Sequence, residues 1–301
     1  MEVVFVLHKY LRAVGFSKIT TRKQLEELIT ECVKNSEKRE YITMETEEDG
    51  IFVECTKEFA SDMGVIVRGE FDEENNFSYD YYFPYLKGSG ISSEEDVTIE
   101  RHAEKESYAG VCDDLRIGVT LIFYFQNIIP YLKLKREERL PIKGTTLTLS
   151  GLSTSGSIML PIIKNEKDKK KVKKVARDRN HLIAEARKGD EDAIESLTLE
   201  DMDTYTTISR KIQKEDVFSI VDTYFMPYGV ECDQYSVLGE ITACELVRNR
   251  MTGEEIHRMT VNCNELIFDI CINKEDLLGE PEVGRRFKGT LWMQGFINFP
   301  I

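Results

Sequence analysis

Few residues of the types that carry catalytic or metal chemistry occur in this sequence of 301 residues, which has 4 histidines, 7 cysteines and 1 tryptophan. The odd number of cysteines and their irregular spacing argue against a secreted disulfide framework and predict reduced, mostly buried thiols. Residues 1–7 are apolar but lack a basic segment before them and a small-residue cleavage site after them. The most apolar stretch, residues 117–132, is shorter than the ~20 residues that a membrane-spanning helix needs. We therefore expect a cytoplasmic protein without a membrane span.

Positive charge is also in the minority, because 40 Lys and Arg stand against 54 Asp and Glu and give a formal net charge of −14. The hydrophobic fraction of 41 % excludes a disordered chain and supplies enough apolar material for a packed core. A protein that coats nucleic acid or an anionic membrane with its whole surface needs net positive charge. The composition therefore makes nucleic acid an unfavoured partner.

Residues 1–163 are predicted to form an α+β domain that begins with helical segments. Thr21 and Gln24 fit a capping box at the start of a helix over residues 21–35, whose apolar positions repeat at the spacing of one buried face. A shorter helical turn is predicted before it, ending at Gly15.

The rest of this region has the alternating pattern of β-strands, and Asp49-Gly50 is its strongest hairpin signal. The predicted strands cover residues 41–46, 51–56, 64–71, 77–83, 97–104, 116–126, 145–149 and 157–163. The motif at residues 151–156 is predicted to be the loop between the last two strands. Together these patterns predict a largely antiparallel sheet with its helices on one face.

The composition changes abruptly at Lys164, and residues 164–214 are predicted to be a charged helical connector. Residues 164–188 contain eleven Lys and Arg against four acids, whereas residues 190–203 contain seven acids and no base. Gly189 between them is typical of a helix end. We expect a helical hairpin whose two arms neutralise each other, with separate helices over residues 193–197 and from Thr198 onward.

Residues 215–301 return to a period of two and are predicted to form a small five-stranded barrel of the OB type. The predicted strands cover residues 217–226, 236–247, 255–261, 266–272 and 286–299. Residues 279–284 are predicted to be a turn between strands, because Pro281, Glu280 and Glu282 do not suit a phosphate-binding loop.

Several sequence stretches resemble an uncharacterised bacterial family, domain of unknown function 3881. They are residues 8–16, 189–201, 215–222, 279–289 and 292–295, so the resemblance covers essentially the whole chain. Members of this family begin near the position of Leu7, which leads to the hypothesis that translation starts at Leu7. The resemblance implies no activity, cofactor or catalytic residue.

The best candidates for ligand contact are Tyr228, Arg285, Arg286 and Trp292. A tryptophan with neighbouring guanidinium groups can stack on a ligand and hold an anion. The competing interpretation places Trp292 in the core, and we favour it because tryptophan is highly buried on average.

Two alternatives remain open. Asp222, Glu231, Asp233 and Glu240 could form a carboxylate-based enzyme site between the two β-regions. A nucleic-acid binder would instead use the basic run within Lys164–Arg179. The residues concerned are Lys169, Lys170, Lys171, Lys173, Lys174 and Arg177.

The acids of residues 190–203 weaken the second alternative, because attraction within the chain would cancel the field that a polyanion needs. His257, Cys263 and Cys271 lack the paired short spacings of a zinc site, so neither a metal nor a cofactor is predicted. We therefore predict a non-catalytic binding module. Its partner would be a protein, including a second copy of the chain, or a small molecule.

Overall fold

The structure is a computed structural model that describes residues 7–43, 51–71, 77–101, 107–140, 143–162, 178–179, 181–186, 188–212, 221–230 and 232–300. Its α-helices are α1 (Arg22–Lys34), α2 (Ile128–Arg136) and α3 (Glu191–Ile212). Short 3-10 helices cover Lys9–Val14 and Lys274–Asp276, and residues 178–179 and 181–186 are also helical.

Strands make up most of the remaining described chain. They are β1 (Lys38–Thr43), β2 (Ile51–Ala60), β3 (Met63–Phe71), β4 (Phe77–Leu86), β5 (Val97–Arg101), β6 (Tyr108–Cys112), β7 (Leu121–Phe125), β8 (Thr146–Met159), β9 (Tyr224–Pro227), β10 (Gln234–Arg248), β11 (Glu255–Cys263), β12 (Leu266–Asn273), β13 (Leu277–Leu278) and β14 (Arg286–Asn298). The protein is thus an α+β chain dominated by sheet.

The N-terminal sheet contains β1 to β4 in sequence order, and every neighbouring pair is antiparallel. The helix α1 packs against β2 and β3. Its predicted capping box is present, because Thr21 Oγ1 accepts from the Gln24 amide at 3.3 Å and Gln24 Oε1 accepts from the Thr21 amide at 3.1 Å. The antiparallel pairing of the two predicted hairpins, β1–β2 and β3–β4, is confirmed, while their predicted turns, including Asp49-Gly50, lie outside the described residues.

Five strands close into a barrel in the C-terminal part of the fold, in the order β8-β12-β11-β10-β14 and back to β8. Four of the five pairings are antiparallel, and the β12–β8 pairing is parallel. The strand β7 joins the outside of this ring through a parallel pairing with β14 and continues the sheet to β6 and β5.

The strand β8 differs from the sequence prediction, which divided it into two strands and a loop at residues 151–156. It is one continuous strand of 14 residues, and it supplies the barrel's fifth strand from outside residues 215–301. Its small residues explain the difference, since a Cβ atom at Gly156 would lie 2.5 Å from Cε2 of Phe287. Glycine here marks the close approach of strands in a tight barrel and does not mark a turn.

Five further elements differ from the predictions. The expected strand over residues 116–126 is shorter, and the sequence analysis missed β6 and α2. The separate helices predicted after Gly189 are the single helix α3, because Asp190 Oδ1 already caps it by accepting from the Ala193 amide at 3.0 Å. The predicted first strand of the C-terminal region is represented, within the described residues, by the short β9 that pairs with β10.

Barrel strands bury side chains on both faces. Ile270 and Leu291 belong to a core inside the barrel, whereas the next residues, Cys271 and Trp292, belong to a second core. Successive residues of a strand point to opposite faces, so each barrel strand contributes to both cores. The second core lies between the barrel, the N-terminal sheet, α1 and the first 3-10 helix.

A buried cation connects the N-terminal sheet to the sheet that contains the barrel. The Arg68 side chain on β3 is 0 % exposed, and its Nε donates to Glu54 Oε2 at 2.6 Å. Its other nitrogens donate to the Tyr81 hydroxyl at 2.8 Å and to the backbone oxygen of Gln126 at 2.6 Å. Burial opposes the charge of Arg68, but Glu54 and two neighbouring tyrosines outweigh it and keep the pKa of the guanidinium above its usual value.

Among the described residues, the structure contains no helix that is both long enough and apolar enough to cross a membrane.

The Phe123 ring is held between two glycines on neighbouring strands, and this contact generates a first prediction. A Cβ atom at Gly110 or at Gly295 would overlap the ring. We expect Gly110→Ala to lower the free energy of unfolding by about 1–3 kcal/mol, because the packed interior cannot absorb the extra methyl group. Urea denaturation measures this change.

A double-mutant cycle provides the control. Phe123→Leu should relieve part of the effect of Gly110→Ala, so the two changes should be non-additive by more than about 0.5 kcal/mol. Gly239→Ala overlaps Val261 instead, and its combination with Phe123→Leu should be additive. Additivity in both combinations would contradict the proposed contact.

Removal of the Arg68 charge should be strongly destabilising. We expect Arg68→Met to lower the free energy of unfolding by about 3–5 kcal/mol, because it leaves the Glu54 carboxylate buried without a counter-ion. The double variant Arg68→Met with Glu54→Leu should recover part of this loss, since it leaves no buried charge. A single variant as stable as the double variant in urea denaturation would refute the argument.

Candidate functional site

The four predicted ligand-contact residues lie in two places. In the β10–β14 pairing, Trp292 lies opposite Gln234, and Arg286 lies opposite Glu240. These positions are six residues apart, or roughly 20 Å along an extended strand. Tyr228 is on the Trp292 side, since its amide donates to the Gln234 backbone oxygen at 2.8 Å. The structure therefore does not bring all four residues into one site.

Both arginines donate hydrogen bonds to backbone oxygens, and Arg285 also forms an ion pair with a neighbouring acid. Arg286 is buried, and its guanidinium donates to the backbone oxygens of Leu160 at 3.0 Å and Val221 at 2.9 Å. Burial lowers the pKa of Arg286. Arg285 forms an ion pair with Glu282 at 2.9 Å and donates to the backbone oxygen of Glu280. These contacts give both arginines structural partners, and their role in anion binding stays a prediction.

Trp292 lies in a group of aromatic rings that we call the Trp292 cluster. The tryptophan is 5 % exposed, its ring stacks on Tyr10 at 5.3 Å between centroids, and its Nε1 donates to Asp233 Oδ2 at 2.7 Å. The rings of His8 and Tyr124 lie 4.8 Å and 5.1 Å from it. No local sequence pattern predicts these ring partners, because they come from segments that are distant along the chain.

His8 is the electrostatically unusual member of the Trp292 cluster. Its Nδ1 atom is buried and has no hydrogen-bond partner among the described residues, while its amide donates to the Tyr82 hydroxyl at 3.0 Å. Burial, reinforced by the neighbouring Lys9 ammonium group, lowers the pKa of His8 to about 4. The imidazole is therefore neutral at physiological pH.

Next to this cluster, the end of β9 and the turn that follows it expose three large apolar side chains, which we call the hairpin tip. Val230 is fully exposed, and Met226 and Tyr228 are about half exposed. The base of the turn is fixed, because Asp233 accepts from the Trp292 indole through its carboxylate and from the Met293 amide through its backbone oxygen at 2.8 Å. The hairpin tip is thus an exposed apolar surface whose base is held by hydrogen bonds to β14.

The acids of the enzyme alternative are also separated. Asp233 lies at the Trp292 end of β10, whereas Glu240 lies opposite Arg286 and the backbone of Asp222 contacts that arginine. Glu231 lies outside the described residues. Asp233 is thus separated from the other two described acids, Asp222 and Glu240, which are both neighbours of Arg286.

The histidine and the two cysteines considered as metal ligands are buried in the fold. The Cys263 thiol contacts the backbone oxygen of Tyr224 at 3.1 Å, and the side chains of His257 and Cys271 are buried. Within the parts of the chain that the structure covers, no three His, Cys, Asp or Glu side chains are grouped to hold a metal ion.

Part of the charged connector is described, and one of its cations contacts the acidic arm. Gly189 adopts a positive φ of 91° at the turn before α3. Across this turn, the Arg179 guanidinium forms ion pairs with Glu200 at 3.3 Å and Asp201 at 2.7 Å. The predicted attraction between the two arms is observed for this residue. The lysines at 169, 170, 171, 173 and 174, and Arg177, lie outside the described residues.

These observations define an α+β protein in which a closed five-stranded barrel supports a solvent-exposed apolar hairpin. A family model described as "Domain of unknown function, E. rectale Gene description (DUF3881)" matches residues 11–295, and the chain belongs to this family. The resemblance noted in the sequence is thereby confirmed. No curated protein and no solved structure matches the chain.

The low pKa of His8 makes stability depend on pH. The unfolded chain takes up a proton near the usual histidine pKa of 6.5, whereas the folded protein resists protonation down to about pH 4. Stability should therefore fall as the pH drops through this window, by about 2.5 kcal/mol between about pH 7.5 and about pH 4.5. Urea denaturation at both pH values measures this loss.

The His8→Gln variant isolates this effect from the titration of the acids. It should lose less stability than the unmodified protein over the same pH change, by about the amount given above. His181→Gln, at an exposed histidine, is the matched control and should behave like the unmodified protein. An unchanged pH dependence in His8→Gln would show that His8 does not resist protonation in the fold.

Proposed function

We propose that the protein is a non-catalytic binding module that engages a partner protein through the hairpin tip. The observation that carries this proposal is the exposure of Met226, Tyr228 and Val230 at alternate positions along the end of β9 and the turn that follows it. Contiguous exposed apolar side chains are a common mark of protein–protein contact sites. A tyrosine among them fits this function, because tyrosine is enriched where binding energy concentrates.

The firm base of the hairpin tip supports the same proposal. Association requires surface groups to lose conformational freedom, so a surface that is already ordered binds at a lower entropic penalty. The hydrogen bonds from Trp292 and Met293 to Asp233, and from Tyr228 to Gln234, supply this order before a partner arrives. Burial of one large apolar side chain contributes about 1.5–3 kcal/mol, so three of them support a moderate affinity.

We also propose that the module works in a bacterial cytoplasm. All seven cysteines are free thiols, which fits a reducing compartment. Burial raises the pKa of Cys112 to about 11 and that of Cys263 to about 12, so these two stay protonated and unreactive.

Photo-crosslinking in the native host tests the interaction. A benzoylphenylalanine placed at Val230 should form a discrete adduct with a partner, whereas the same group at the exposed Met251 on the β10–β11 turn should not. Tyr228→Asp in the same chain should reduce the adduct by roughly tenfold, because it removes apolar contact worth more than 1.4 kcal/mol.

The mass of the adduct identifies the partner, and an adduct of twice the chain mass would identify a second copy. Equal crosslinking at both positions would point to random encounters. That outcome, or no adduct at Val230, would refute the proposal.

A further inference from the structure

The helix α3 presents a second exposed surface that the proposed function does not use. Ile194, Leu199 and Met202 are 47 %, 58 % and 63 % exposed, although each is a large apolar side chain. Leu199 and Met202 are one helical turn apart, and Met202 is about two turns from Ile194. We call these three residues, with the exposed acids Glu191, Asp192 and Glu195, the α3 face.

A part of the helix surface that adjoins the α3 face is already occupied. Ala193 is buried, and the carboxylates of Glu200 and Asp201 hold Arg179 across the turn at Gly189. Glu191, Asp192 and Glu195, in contrast, form no ion pair with any residue in the described ranges. The α3 face thus combines exposed apolar side chains with acids that lack a cationic counterpart there.

The charges of the α3 face decide what kind of occupant suits it. Nucleic acid and anionic lipid would be repelled, and a second copy would bring acids against acids. A neutral apolar segment would bury the carboxylates without counter-ions, which is strongly unfavourable. A cationic amphipathic helix avoids both problems, because its apolar side chains cover Leu199 and Met202 while its lysines or arginines meet the acids.

The Arg179 contact shows that acids of α3 form ion pairs with a guanidinium from a helical segment. A guanidinium carried by a helical segment already reaches two consecutive acids of α3, at 3.3 Å and 2.7 Å. Arginine binds carboxylates better than other residues do, because its planar guanidinium forms bidentate or paired contacts of this kind. The same arrangement is available to a cationic helix on the α3 face.

We propose that the α3 face docks a cationic amphipathic helix of a partner protein. This surface is separate from the hairpin tip, so the proposal does not depend on that surface binding a partner. The recognition combines an apolar contact with ion pairs, as in the known binding of amphipathic helices to apolar surfaces.

A defined peptide probe tests the proposal with the full chain. The probe is a synthetic amphipathic helix made only of leucine and lysine, and its matched control replaces every lysine by glutamate. The lysine peptide should bind in a fluorescence anisotropy titration, and the glutamate peptide should not. Raising the salt concentration should weaken binding, because exposed ion pairs are screened.

Two variants separate docking from general attraction to an acidic protein. Leu199→Gln with Met202→Gln keeps the net charge and a good helix former at each position, and it should weaken binding at least roughly tenfold. Met226→Gln with Tyr228→Gln makes the same kind of change on the hairpin tip and should leave peptide affinity unchanged. Because all four residues are exposed, both variants should fold, which circular dichroism checks.

A third variant tests the acids directly. Glu191→Gln with Glu195→Gln should weaken binding and reduce its salt dependence. Equal binding by the Leu199/Met202 variant and the unmodified chain would overturn the proposal, because attraction would then come from net charge alone. An equal loss in the hairpin-tip variant would overturn it as well, and neither result would affect the crosslinking test of the hairpin tip.

Discussion

The guanidinium of Arg68 has no exposed surface, so the protein must supply the acceptors that water would otherwise supply. Glu54 and Tyr81 are neighbours of Arg68 in the N-terminal sheet, but the third acceptor, the Gln126 backbone oxygen, belongs to the segment between β7 and α2. The Gln126 amide in turn donates to the Gly295 oxygen of β14 at 2.9 Å, and its side chain bonds Gln294. One acceptor of this buried guanidinium thus lies across the boundary between the N-terminal sheet and the sheet that contains the barrel, and a relative shift of the two sheets would leave an Arg68 N–H buried without an acceptor.

The strand β14 connects this buried hydrogen-bond network to the surface of the protein. It pairs with β10 and β8 within the closed ring, which has no free edge between them. Trp292 and Met293 on this strand bond Asp233 at the base of the hairpin tip. The position of the exposed apolar turn therefore follows from barrel closure. The same strand places the Trp292 cluster, with its neutral His8, between the barrel and the N-terminal sheet.

Local chemistry was predictable from the sequence, whereas long-range pairing was not. The capping box at Thr21, the pairing of the two N-terminal hairpins and the turn at Gly189 each depend on a few neighbouring residues, and each is present. The role of β8 depends on contacts with β12 and β14, more than a hundred residues away, which leave no local pattern. Its glycines favoured a loop for the same reason, since the side chains that they accommodate, Leu291 at Gly151 and Phe287 at Gly156, are also distant in the sequence. The burial of Trp292 was anticipated, but the ring partners that bury it were not.

The hairpin tip and the α3 face differ in the interaction that would drive binding at each. The hairpin tip contributes apolar area from side chains with no charge of their own, so its binding should respond little to ionic strength. The α3 face adds carboxylates to its apolar residues, and its attraction for a cationic helix is long-ranged and screened by salt. The formal net charge of −14 works against polyanions as partners. The two proposals therefore differ in their driving interaction, which is apolar contact at the hairpin tip and attraction of a cationic helix at the α3 face.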